Sequence, residues 1–240
     1  MPDRQPVAVI TGASQGLGLA LARELAGRGW SLVLDARGAE RLDRAAATLP
    51  GGPHRVVAGD VTEPAHRRDV VDAAAALGGA DALVNNASTL GASPLPALAD
   101  LGTATYLRVL EVNLVAPVVL AAALAGQLRR RSGRVLNVTS DAGVEAYPTW
   151  GGYGSSKAGL DHASRVLAAE EPSLRVYAVD PGDMRTRMHQ DAFPGEDISD
   201  RPDPEHAVPG LLRLLTEDLP SGRYRAADVQ SGWAAPGVSA

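Results

Sequence analysis

What most restricts the fold of this chain is the alternation of two kinds of segment. Short β-rich apolar runs occur at "VAVIT" (7–11), "SLVLD" (31–35), "RVVAG" (55–59), "ALVNN" (82–86), "RVLNVTS" (134–140) and "RVYAVD" (175–180). A weaker seventh strand falls at "GRYRA" (222–226). Longer Ala/Leu-rich stretches lie between them and predict helices over roughly 16–28, 39–48, 64–77, 103–131, 153–170 and 205–216. Several strands are almost continuously apolar, as happens where both faces of a sheet are covered. Strict β-α alternation predicts the α/β class: a single doubly wound parallel sheet with helices on both faces, in one domain over 1–240.

Composition bounds this picture. At 45% hydrophobic the 240 residues can fill a core, but only 4% are aromatic, so aliphatic and alanine packing must dominate. A formal charge of −5 argues against a nucleic-acid partner, which calls for a clustered basic surface. No cysteine is present, so thiolate metal sites are out, and His66, His162, His189 and His206 lack metal-ligand spacing; no metal is expected. The start, "MPDRQPVAVITG", has no signal-peptide pattern, and no apolar run approaches 18 residues without a charge or turn former. The expectation is a cytoplasmic protein with no membrane partner. One segment, "RMHQDAFPGEDISDRPDPE" (187–205), holds three prolines and six acidic residues and is predicted to be a long loop. Loops of that length in compact domains are functional or mobile, or an insertion with no task.

"TGASQGLG" (11–18) joins the first strand to the first helix. Gly12, Gly16 and Gly18 are spaced G-x-x-x-G-x-G rather than as the G-x-G-x-x-G dinucleotide fingerprint, but the physics is shared. Glycines permit a tight turn and close backbone approach, and the helix start offers free N–H groups to a pyrophosphate. Further along, "YGSSK" (153–157) ends on Lys157, the only lysine among 23 basic residues. Tyr153 and Lys157 are i and i+4 on one helix face. A tyrosine hydroxyl can trade a proton with an oxyanion formed by hydride transfer, although its usual pKa near 10 is high for that. A cation about 4 Å away at an effective dielectric near 20 favours phenolate by about 4 kcal/mol, on the order of three pKa units before desolvation.

These motifs, with "NNA" (85–87), "NVTS" (137–140) and "PGDMRT" (181–186), resemble the short-chain dehydrogenase/reductase family from about Val7 to Thr186. All but the helical "YGSSK" lie at the C-terminal end of a predicted strand, where ligands bind in an open α/β sheet. The run at 167–188 is similar to the sepiapterin reductase-like and benzil reductase-like branch. The resemblance implies a Rossmann fold and an NAD(P)-dependent oxidoreductase acting on CH–OH or C=O groups, with ketone reduction favoured. Tyr153 is then the general acid/base, Lys157 its tuner and a donor to the ribose hydroxyls, and Ser140 the group that positions the carbonyl. Asn113 bends its helix and holds a water for the lysine. For Ser140 a turn or cap, and for Asn113 a buried structural hydrogen bond, are the plain readings.

The resemblance also implies the cofactor contacts. Gly12, Ser14, Gln15, Gly16, Leu17 and Gly18 line the pyrophosphate. Asn86 and Ala87 border the cofactor, and Pro181, Gly182 and Thr186 face the nicotinamide. Asp60 and Val61, in "GDVT", stand at the adenine contact or form a polar strand-to-helix cap. The second strand ends "LDARG", offering Asp35 and Arg37. An acid there holds the ribose 2′-OH of NAD and an arginine accommodates a 2′-phosphate. The family's discriminating acid falls on Ala36, so NADP(H) is favoured through Arg37, with NAD(H) through Asp35 as the rival.

Two departures stand out. Ser88 occupies a position where the family usually has glycine, and the tail "ADVQSGWAAPGVSA" lacks a common glycine pair. The segment 187–205 is expected to cover a small-molecule carbonyl or alcohol substrate. Helices 103–131 and 153–170 are expected to bury a face in a homodimer or homotetramer. Alternatives are a catalytically silent NAD(P)-binding sensor or scaffold, and a lyase or epimerase on the same fold.

Overall fold

The computed structural model describes residues 4–230. Its elements run β1 (Val7–Thr11), α1 (Gly16–Gly27), β2 (Ser31–Ala36), α2 (Ala39–Ala46), β3 (His54–Ala58), α3 (Pro64–Ala76), β4 (Ala82–Asn85), α4 (Thr103–Leu110), α5 (Ala116–Arg129), β5 (Arg134–Val138), α6 (Gly151–Glu170), β6 (Arg175–Asp180), α7 (Arg187–Ala192), α8 (Val208–Thr216), β7 (Gly222–Arg225) and α9 (Ala226–Gln230). Seven strands form one sheet in the order β3-β2-β1-β4-β5-β6-β7, every pair parallel. The doubly wound α/β class read from the sequence is thus the observed one.

The continuous apolar strands explain the layering. Side chains alternate across a strand, so Ala8 and Ile10 pack with Leu21 and Leu25 of α1 and Leu211 and Leu215 of α8. Val7 and Val9 face the other way, against Val70 of α3 and Leu120, Leu124 and Leu128 of α5. Strand order reverses between β1 and β4, which opens a crevice beyond their C-terminal ends.

Two segments differ from expectation. The long helix at 103–131 divides at the asparagine that the resemblance expects to bend it: α4 and α5 are joined by a π-helical segment, Glu111–Val115, centred on Asn113. The most apolar 18-residue window within Thr103–Arg129 has a mean hydropathy of 2.0, long and apolar enough by composition to cross a bilayer, yet half of that window is buried in the protein. The window is still interrupted by Asn113, Pro117 and Gly126, in keeping with the expectation that no long apolar run lacks a charge or turn former. The segment at 187–205 is not loop throughout. It begins with α7, whose first turn is capped by Thr186, the hydroxyl accepting from His189 N–H at 3.2 Å, and ends at a 3-10 turn, Pro204–His206. Prolines and acids hid a short helix whose start depends on that cap. Of the tail, residues 231–240 lie outside the described residues.

Candidate active site

A cleft of about 1350 Å³ lies across the C-terminal ends of the strands. The glycine turn lines its centre. Gly12 has φ +67°, a left-handed conformation, and a Cβ there would meet Asn86 Nδ2 at 2.8 Å. Gly18, on the first turn of α1, would place a Cβ 2.5 Å from the Gly12 carbonyl oxygen. Asn86 braces this turn: its Nδ2 donates to the Thr11 and Gly12 carbonyls at 2.9 and 3.2 Å. The N–H groups of Asn86 and Ala87 both donate to Thr11 Oγ1 at 3.0 Å. Asn86 and Ala87 border the cleft, but the Asn86 amide is spent on the protein. Ser14, Gln15, Gly16 and Leu17 line the cleft beside them, and Thr186 approaches Gly16 across it.

At one end β2 delivers Asp35, Ala36 and Arg37. Asp35 is 1% exposed, and His66 Nε2 donates to its carboxylate at 2.5 Å. Burial raises the Asp35 pKa despite His66, and the bond to Asp35 raises that of His66. His66, whose position in the sequence shows no metal-ligand spacing and no partner, is buried. Only the approach of α3 to β2 shows the pairing. Arg37 is exposed at the cleft rim with Arg41, whose Nη1 donates to Gln15 Oε1 at 2.8 Å.

Asp60 and Val61 line the same end. The Asp60 carboxylate accepts from Thr62 N–H at 2.9 Å, from the Thr62 hydroxyl at 2.7 Å and from Arg108. Partial burial works to raise its pKa, but these donors win and hold it below the usual range. The polar cap is therefore real, and Arg108 of α4, 48 positions away, is a partner that no local pattern reveals.

At the other end α6 presents Tyr153 and Lys157, 9% and 2% exposed. Two buried asparagines hold α6 against the sheet: Asn85 Nδ2 donates to Asn137 Oδ1 at 2.7 Å, and Asn137 Nδ2 to Ser164 Oγ at 2.8 Å. Lys157 Nζ donates to the Val138 carbonyl at 2.8 Å and lies 5.4 Å from the centre of the Tyr153 ring. Burial pulls the ammonium down to about 8. It also drives the Tyr153 phenol well above its ordinary range, against the hydroxyls of Ser140 and Ser88, which pull it down. The expectation of a phenol acidified by its lysine is therefore corrected. In this structure desolvation by burial dominates the phenol, and the Lys157 amine gives its hydrogen bond to a backbone carbonyl.

Ser140 lines the cleft and also caps the turn after β5, donating to Asp141 Oδ1 at 2.9 Å and accepting from Ala142 N–H at 3.2 Å. Arg223 of β7, not foreseen, props this turn through the Ser140 carbonyl at 3.1 Å and Asp161 at 3.0 Å. Asn113 is fully buried in the π segment. Pro181 and Gly182 follow β6, with Gly182 N–H donating to Asp180 at 2.9 Å. Beyond Tyr153 the wall is aromatic: Trp150 meets Tyr153 edge-on at 5.6 Å and Phe193 at 5.9 Å, and His189 stacks near Phe193 at 5.0 Å. The cleft thus joins a polar, glycine-lined half to an apolar half across a tyrosine, a lysine and a serine.

Comparisons with known proteins agree with this geometry. The sequence family described as short chain dehydrogenase matches residues 6–197. Protein FixR of Bradyrhizobium diazoefficiens is 37% identical over 201 residues, covering 76% of this chain and 68% of that protein. The crystal structure of the KRED1-Pglu enzyme superposes with a TM-score of 0.84 at 31% identity, over 92% of this chain and all (100%) of the other. An alcohol dehydrogenase from Thermococcus sibiricus, complexed with 5-hydroxy-NADP, superposes with a TM-score of 0.81 at 28% identity, over 92% and 95%.

Proposed function

Because this chain belongs to the short chain dehydrogenase family, an NAD(P)-dependent group of oxidoreductases, we propose that it reduces a ketone or aldehyde at the expense of NADPH. The observation that carries this reading is the placement of Tyr153 and Lys157, both buried on one face of α6, in the same cleft as Ser140 and the glycine turn.

The residues fit the cofactor. The cradle formed by Gly12 and Gly18 is closed to any Cβ, and the N-terminus of α1 behind it offers N–H groups suited to a pyrophosphate. Asp35 is engaged by His66, so its carboxylate does not compete for a ribose, while Arg37 and Arg41 supply positive charge at the rim. That balance favours the 2′-phosphate of NADP(H) over NAD(H). Asp60 and Val61 would border the adenine, and Pro181, Gly182 and Thr186 the nicotinamide. Lys157 would serve the adjoining ribose.

When bound, the nicotinamide supplies the hydride that adds to the carbonyl carbon. The protein's part is to manage the oxygen. Ser140 donates a hydrogen bond to the carbonyl oxygen and fixes its direction. Tyr153 then passes its proton to the same oxygen as negative charge develops there. An acid that burial holds protonated at neutral pH suits the reductive direction. Lys157, brought down to about 8, releases a proton near neutrality more readily than an exposed lysine and can restore that of Tyr153. Trp150, Phe193 and their neighbours exclude water and favour a carbonyl carrying an apolar group.

Tyr153→Phe removes the proton and little else. It should lower kcat for NADPH-dependent reduction of a diketone panel by about a hundredfold or more while leaving NADPH binding intact. Equal rates in the two proteins would end the tyrosine mechanism. We extend the reading to a homo-oligomer, supported by Leu107, Val115, Val118, Val119 and Val166, apolar side chains left exposed along α4, the π-helical segment, α5 and α6. A monomer by light scattering at micromolar concentration would remove that part.

A further inference from the structure

We propose that Ser88 is a second hydroxyl partner of the Tyr153 phenol and stabilises its deprotonated form as the proton leaves. The inference rests on Tyr153 as the proton donor and concerns a residue that stands where the family resemblance leads one to expect glycine.

Ser88 lies three residues beyond β4 and lines the cleft. Its Oγ donates to Asn113 Oδ1 at 3.2 Å. That amide is locked in place: Oδ1 also accepts from Thr89 N–H at 2.9 Å, while Nδ2 donates to the Thr89 carbonyl at 2.9 Å and to Ser156 Oγ at 3.0 Å. Both donors and both acceptor positions of Asn113 are therefore used. Ser156 in turn donates to the Tyr153 carbonyl at 2.6 Å. A hydrogen-bonded circuit leads from the Tyr153 backbone through Ser156 and Asn113 to Ser88, which lines the cleft with Tyr153 and whose hydroxyl pulls the phenol pKa down.

The circuit matters because the phenol is otherwise poorly served. Lys157, on the same helix, directs its ammonium to Val138. Asp141 after β5 and Asp180 at the end of β6 add negative charge that disfavours phenolate, and burial acts the same way. Ser140, after β5, is the other hydroxyl facing the phenol, and the substrate carbonyl makes its own demand on that group. Ser88 can change direction at little cost. While Tyr153 is protonated, Ser88 donates to Asn113 and can accept from the phenol. Once the tyrosine proton has moved to the substrate oxygen, the Ser88 O–H can turn and donate to the phenolate. Asn113 Oδ1 then still holds the Thr89 N–H, so no buried acceptor is left without a partner. Ser88 keeps its own proton throughout. A glycine at 88 offers neither arrangement.

The test uses Ser88→Gly, Ser88→Thr and Tyr153→Phe in the full chain. With tyrosine labelled at Cζ by carbon-13, the Tyr153 resonance is assigned by its loss in Tyr153→Phe. Ser88→Gly should shift that resonance and leave the other tyrosines unmoved. Reduction of 2,3-hexanedione by NADPH should lose about ten- to a hundredfold in kcat, the range for a hydrogen bond to a charged group. The NADPH Kd, read by tryptophan fluorescence, should not change, and Ser88→Thr should restore much of the rate. An unmoved resonance, a wild-type kcat, or a loss confined to the NADPH Kd in Ser88→Gly would each overturn the role of Ser88 and leave the tyrosine reading standing. A wild-type kcat in Tyr153→Phe would remove both.

Discussion

Lys157 Nζ gives its hydrogen bond to the Val138 carbonyl at 2.8 Å while lying 5.4 Å from the centre of the Tyr153 ring. The ammonium is thus enclosed at a site that penalises its charge, and its pKa falls from 10.5 to about 8. Fold stability and chemistry make opposite demands on this residue. A shift of that size corresponds to about 3 kcal/mol withheld from the folded state at neutral pH.

Lys157→Met should therefore melt at or above the wild-type Tm at pH 7 while losing at least about tenfold in kcat. Because the folded pKa is depressed, wild type should gain stability as pH rises from about 8 toward 10.5, and the variant should not. Thermal unfolding at pH 7 and pH 10 measures both. A variant that melts far below wild type at pH 7 would contradict the burial argument.

Cofactor choice is predicted to reside at the end of β2. Arg37→Ala should lower kcat/KM for NADPH by about tenfold or more, the scale of one charge-assisted hydrogen bond, with NADH little affected. Adding Ala36→Asp should invert the preference by placing an acceptor toward the ribose. Steady-state kinetics with both cofactors decide it, and a wild type that prefers NADH would defeat the assignment.

The buried His66–Asp35 pair carries a pH signature. The His66 pKa is raised, so its stabilisation is complete below about 6.5 and is lost as pH climbs through the folded value. His66→Gln should cost about 3 kcal/mol at pH 6, leaving a buried carboxylate without its charged partner. The gap to wild type should narrow toward pH 9. Urea denaturation across that range measures it, and a gap independent of pH would show that the imidazole is neutral throughout.

Gly18 and Gly27 sit at opposite ends of α1 and should respond differently to the same substitution. Gly18→Ala drives a methyl to 2.5 Å from the Gly12 oxygen, so the turn must shift, at about 1–3 kcal/mol, with weaker NADPH binding. Gly27→Ala meets nothing within 4 Å and should stay within about 1 kcal/mol of wild type. Calorimetry on the two variants, with and without NADPH, separates backbone crowding from helix propensity.

Much of the architecture is legible along the chain because strand and helix periodicities are local. β1 and β6 fall where the apolar runs place them, and the remaining strands shift by a residue or two at their ends. The divided helix at Asn113 is less legible, since a π segment changes hydrogen bonding without changing hydropathy. Helix α7 was hidden because its composition is that of a loop and its start depends on one threonine cap.

The one-dimensional order of residues determined the strands, the glycine turn and the pairing of Tyr153 with Lys157 on one helical face, because each depends on neighbours within a few positions. Folding decided what those residues meet. His66 finds Asp35 across 31 positions, Arg108 finds Asp60 across 48, and Asn113 lies 25 positions from Ser88. Whether the tyrosine is made more or less acidic likewise depends on burial and on the direction of one amine. Such balances between desolvation and distant partners exist only in three dimensions, where charge, solvent and separation are set together.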